Sequence, residues 1–258
     1  MRKLLLMLLV FLAVPGFAQK AFDGTWRLKV QSGEFKGHDR YALQDGVWHC
    51  YTCGPEITIK ADGRPHQVSS SPYYDTATVR EVDDHTVEIT SEKNGKPAGT
   101  NKMTTSDGGK VLTSQGAFIT DNGQQISMTT VYDRVGEAPA SGNKVSGTWQ
   151  QRKLENASEN ITKMTYKASE DGLAMSDLLG DSYDAKFDGK DYPYKGDPGT
   201  SSVSLKKIDA NTIEETDKRN GKAISVSRMS VAADGKTMKI AVQDKLRNQS
   251  ANWTAEKE

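Results

Sequence analysis

Along most of the chain, apolar and polar residues alternate with a period of two rather than 3.6. Ala77-Thr78-Val79-Arg80, Thr86-Val87-Glu88-Ile89, Val203-Ser204-Leu205-Lys206 and Thr237-Met238-Lys239-Ile240 all follow this rhythm. It is the pattern of strands with one buried and one wet face, and the recurrence of Thr, Val and Ile agrees with it. Between such runs sit Asn94-Gly95 and Asn220-Gly221, residue pairs that accept the positive φ angles of a two-residue hairpin. Asp62-Gly63, Asp121-Asn122-Gly123, Asp188-Gly189 and Asp234-Gly235 mark further turns. No helical pattern of ten residues interrupts them. The expectation is an all-β chain whose strands pair in sequential antiparallel order, as a meander that closes into a barrel and so removes its two edges.

The pattern is written twice. Phe22-Asp23-Gly24-Thr25-Trp26 returns as Val145-Ser146-Gly147-Thr148-Trp149, and residues 60–110 align without gaps on residues 186–236. That block holds 14 identities in 51 positions, among them Asp62/Asp188, Pro72/Pro198, Asn94/Asn220, Gly95/Gly221 and Met103/Met229. Such an ungapped match predicts two related domains, each with about eight or nine strands. Residues 136–144, which include Gly136-Glu137-Ala138-Pro139-Ala140-Ser141-Gly142-Asn143, have a linker's composition. The expected division is residues 19–135 for the first barrel and 145–258 for the second.

Residues 1–18 read as a secretory signal: Arg2 and Lys3, then the apolar run Leu4 to Val14, then Pro15-Gly16-Phe17-Ala18 before Gln19. The first cysteine is Cys50, so none lies near the cleavage point to be lipidated. Without the signal the chain has 32 basic residues (the full 34 less Arg2 and Lys3) against 34 acidic ones. That balance gives no electrostatic reason to bind nucleic acid, and nothing after the signal is long and apolar enough to insert in a membrane. A periplasmic or secreted protein is expected. Asn156, Asn160, Asn248 and Asn252 begin Asn-x-Ser/Thr sequons, which matter only in a host that glycosylates secreted chains.

A Gly-x-Trp on the first strand followed by an all-β meander resembles the lipocalin-like (calycin) barrels. The Lys-x-Asp-Gly…Tyr-Pro and Asp-x-x-Thr-x-Glu segments resemble secreted bacterial tandem-repeat proteins of this general kind. The calycin resemblance implies that Trp26 and Trp149 plug the closed ends of their barrels beneath a basic side chain from the last strand. Arg134 follows the last alternating run of the first module and is the expected cap there; the second module offers only Lys257. The resemblance also implies a small, apolar or amphipathic ligand, with a structural or interaction protein of the cell envelope as the alternative.

Catalytic signatures are missing: there is no Gly-x-Ser-x-Gly, no His-Glu-x-x-His, no phosphate loop and no dinucleotide fingerprint, and no cofactor is implied. Cys50-Tyr51-Thr52-Cys53 is a Cys-x-x-Cys found in the first module alone. In an oxidising compartment its plain reading is a structural disulfide. A redox pair prefers a helix N-terminus, which the flanking strand and Gly54-Pro55 do not provide. A metal site would need two further ligands, and His38, His49, His66 and His85 show no ligand spacing. His85 reads as an exposed turn residue. Glu215 stands where the first module has Ile89, in phase with the inward Ile213, and is the candidate polar handle for a ligand. Tyr41, Trp48, Tyr51, Tyr73, Tyr74 and Phe118, with Tyr166, Tyr183, Tyr192 and Tyr194, are candidates to line a barrel mouth.

Overall fold

The computed structural model describes residues 19–258; the expected signal, Met1 to Ala18, lies outside the described residues. Apart from short 3-10 turns, all regular structure among these residues is β. The chain opens with β1 (Gly24–Leu28) and a short β2 (Glu34–Lys36). Ten strands follow: β3 (Asp39–Gln44), β4 (Val47–Cys50), β5 (Ile57–Lys60), β6 (Asp62–Gln67), β7 (Thr76–Asp83), β8 (Thr86–Lys93), β9 (Lys96–Thr105), β10 (Val111–Ile119), β11 (Gln125–Val135) and β12 (Gly147–Glu155). The rest are β13 (Lys163–Ala168), β14 (Gly172–Asp177), β15 (Ser182–Lys186), β16 (Tyr192–Pro193), β17 (Ser202–Lys207), β18 (Thr212–Arg219), β19 (Lys222–Val231), β20 (Thr237–Asp244) and β21 (Gln249–Lys257).

These strands form two nearly closed antiparallel barrels of ten strands each, slightly more than the eight or nine expected. Part of the excess is β16, whose two residues are too few for alternation to be read. Asn94-Gly95 and Asn220-Gly221 turn the β8–β9 and β18–β19 hairpins, with φ of 52° and 71° in the first and 51° and 77° in the second.

The barrels do not follow the expected division of the chain. One sheet runs β5-β4-β3-β12-β11-β10-β9-β8-β7-β6, and the other β15-β14-β13-β1-β21-β20-β19-β18-β17-β16. The two orders correspond strand for strand, but β1 lies in the barrel of residues 163–257 and β12 in the barrel of residues 39–135. Each sequence module therefore gives its Gly-x-Trp strand to the other barrel. The route is visible after β1. Residues 34–36 form β2, which pairs with β21 at Ser250–Asn252, carrying the chain along the second barrel until β3 enters the first. A domain limit drawn at the linker describes the repeat but not the barrels.

The exchange reassigns the caps. Trp26 is fully buried among Leu173, Leu205, Met238 and Ala255 of the second barrel, and Trp149 among Val79, Val87, Met103 and Leu112 of the first. Arg134 covers Trp149 rather than Trp26, its guanidinium 4.0 Å from the ring centroid; Lys257 covers Trp26, its ammonium at 5.0 Å. Each cation comes from the last strand of its own sequence module, β11 or β21, but each tryptophan comes from the other module. The indole nitrogens donate to Phe22 O at 2.7 Å and Val145 O at 2.9 Å, which leaves no polar atom of either ring unpaired. Arg134 also donates to the backbone oxygens of Gly109, Lys144 and Ser146, closing the bottom of its barrel.

Gly147 explains why this motif begins with glycine. Its φ is +149°, and a Cβ there would lie 2.2 Å from Arg134 Nη1. The linker is fastened at its end, where buried Asn143 donates to Glu81 Oε1 at 3.0 Å and to Asp83 O at 2.7 Å.

Candidate functional site

The barrel ends opposite the two tryptophans meet. The β20–β21 turn of the second barrel enters the mouth of the first, where Leu246 packs on the loop after the cysteines. A Cβ on Gly54 would come 2.7 Å from Leu246 Cβ. Beside it, Gln249 Nε2 donates to Asp39 Oδ1 at 2.9 Å and to His38 O at 3.0 Å. In return Tyr73 reaches from the first barrel to the second: its hydroxyl would lie 2.1 Å from a Cβ on Gly199. Burial and the Asp197 carboxylate push the Tyr73 phenol up to about 12. Asn122, in the β10–β11 turn, donates to Leu179 O.

Two adjoining cavities remain between these insertions. The larger, about 580 Å³, runs from Asp39 and Tyr132 of the first barrel past Phe35 and Trp253 to Asp217 and Ser225 of the second. The smaller, about 500 Å³, lies over the mouth of the first barrel between Tyr41, Tyr74, Phe118 and Cys53, with Arg219 and Arg247 on its far side. Of the aromatic residues expected at a mouth, Tyr41, Tyr73, Tyr74 and Phe118 line these cavities. Trp48, Tyr166 and Tyr183 belong to the buried cores instead. Tyr192 packs beside the second core, and Tyr51 lies against Arg40, 4.5 Å from its guanidinium.

Cys50 and Cys53 form a disulfide. Cys50 is buried at the end of β4, and the bond ties down the loop on which Leu246 rests. No helix begins at either sulfur, so the stabilisation of a thiolate by a helix dipole has no source here. The histidines are scattered: His49 bonds Thr58 Oγ1 at 3.2 Å and His66 pairs with Asp62 at 2.8 Å. Among the described residues no three His, Cys, Asp or Glu are placed to hold a metal ion. His85 does sit in the β7–β8 turn, but it is half-buried rather than exposed, held by Thr105 Oγ1 at 3.0 Å.

Glu215 lies inside the second barrel, where β18 turns Ile213, Glu215 and Asp217 toward the interior, opposite Met229, Ser227 and Ser225 of β19. The Tyr183 hydroxyl donates to Glu215 Oε2, and Ser225 Oγ to Asp217 Oδ2 at 2.8 Å. Burial, then the neighbouring Asp217 charge, pushes the Glu215 carboxyl up to about 8, against the pull of the Tyr183 hydrogen bond. Burial and Asp197 raise Asp217 as well. Asp181, in the next loop, is raised to about 6 by burial and by Asp177 and Asp197. Alternation identifies Glu215 from the sequence. It does not identify the cavity residues Tyr73, Asp197, Leu246 and Arg247, which lie in turns far apart along the chain.

No protein-family model matches the chain, and no curated protein matches it. The fold and this interface therefore carry the functional reading.

Proposed function

We propose that the chain is a periplasmic or secreted binding protein for a small amphipathic molecule, held between the mouths of its two barrels. The supporting observation is the pair of adjoining cavities, of about 580 and 500 Å³, within the size range of small-molecule sites. Their walls mix aromatic rings with a few polar groups, the usual means of holding and orienting such a ligand. The calycin resemblance implies a ligand held inside a barrel. Here the closed half of each barrel is filled by its tryptophan and the side chains around it, which favours the interface instead.

Nile red, a neutral amphipathic dye, tests the reading. It should bind one molecule per chain with a blue-shifted emission. Ala251→Trp, which fills the wall of the larger cavity, should weaken binding by about tenfold or more, the effect of losing about 1.4 kcal/mol of contact. No binding, or binding indifferent to that substitution, overturns the proposal.

A further inference from the structure

Asp217 Oδ1 is buried without a hydrogen-bond partner, alone in this among the side-chain atoms of the described residues. Buried polar atoms are almost always paired, so an orphan beside a cavity needs a reason. Asp217 lines the larger cavity. Its other oxygen is held by Ser225, and Glu215, two residues earlier on the same face, has one oxygen held by Tyr183. A hydroxyl thus orients each acid, and the second oxygen of Asp217 is left without a partner.

The scaffold does not require acids at these places. The corresponding residues of the first barrel are Ile89 and Ser91, in a sheet of the same strand order. Among the described residues neither acid is ion-paired, although Arg219 and Arg247 also line the larger cavity, where Arg247 is held by Asp244. Lys218 pairs with Asp191, and Arg219 turns its Nε to Gly199 O at 2.5 Å. Asp177, Asp181 and Asp197 add further negative charge around the same mouth. These carboxylates do not converge closely enough for a metal ion, whereas an organic cation can meet them one at a time. Next to them the cavity presents the edge-on pair Phe35–Trp253, with ring centroids 5.1 Å apart, and Val242.

We infer that the Asp217 end of the cavity binds the ammonium group of a small organic amine whose apolar part lies against Phe35, Trp253 and Val242. This rests on the binding function proposed above and adds the class of ligand. The charge-assisted hydrogen bond would go to Asp217 Oδ1, and the rings would favour a cation through their faces.

Ligand-observed NMR on the full chain tests it with 2-phenylethylamine, 2-phenylethanol and 3-phenylpropionate, which differ in charge but little in shape. The amine should bind about tenfold or more tighter than the alcohol, the discrimination expected of a hydrogen bond to a charged group, and the propionate weakest. Asp217→Asn keeps the Ser225 contact and should remove most of that preference, while Asp209→Asn, in the exposed β17–β18 turn, should keep it. If Asp217→Asn does not fold, Glu215→Gln and the three-probe ranking of the unaltered chain decide the question. Equal binding of amine and alcohol, or a preference untouched by Asp217→Asn, overturns the inference and leaves the binding function standing. If no probe binds and Nile red fails as well, both fall.

Discussion

Glu215 makes the stability of the fold depend on pH. Its carboxyl has an ordinary value of 4.5 and is pushed up to about 8 in the fold. Between those values the folded chain holds a proton that the unfolded chain has released, so raising the pH favours unfolding. The protonated group's contribution is complete below about pH 4.5 and is lost as pH rises through about 8. Asp217 beside it is displaced in the same direction. The melting temperature should therefore fall from pH 5 to pH 9, and Glu215→Gln should flatten that fall. At pH 9 the variant should melt about 3 °C or more above the parent, what 1 kcal/mol is worth at this chain length. A variant that melts with the parent's pH slope would show that Glu215 is not the group responsible.

At the scale of elements, the exchanged strands predict damage at a distance in sequence. Trp26→Ala removes the largest side chain of the second barrel's core, a loss on the order of 3–5 kcal/mol. Hydrogen exchange should quicken first in β13, β20 and β21, the strands around that core, and not in β3 or β4, which follow Trp26 along the chain. Loss of protection first in β3 and β4 would contradict the exchange. Much of this architecture is legible in the sequence. Alternation locates β7, β8, β17 and β20, the Asn-Gly pairs locate two hairpins, and phase alone turns Glu215 inward. The ownership of β1 and β12 is not legible, because both read Gly-Thr-Trp and either suits either barrel. Asp23 and Ser146, the residues before those glycines, even do the same work. Asp23 accepts from Ala168 N at 2.5 Å and Ser146 from Leu43 N at 2.8 Å. The cavity between the barrels escapes notice for another reason. Tyr73 and Gly199, or Gly54 and Leu246, are brought together only by the packing of the two barrels, and no local pattern records that.

For the whole molecule, the exchange means that the linker is not what holds the halves together. With a specific protease site inserted between Ser141 and Gly142, both exposed, cleavage should leave two fragments that elute as one even after dilution to nanomolar concentration. They should part only in denaturant, because each contributes a central strand to a barrel built mainly by the other. Barrels made of contiguous chain and joined only at their mouths would separate on dilution.

The pairing of β1 with β21 also sets a timetable. Arg27 bonds Glu258, a partner 231 positions further along, and Trp26 lies opposite Lys257 in the ladder. Contacts over so long a separation form slowly and late. Phe22 and Trp26 are made early but have no complete core to enter until β21, the last strand, is available. Until then two large apolar side chains lack their cover, the kind of surface that chaperones bind.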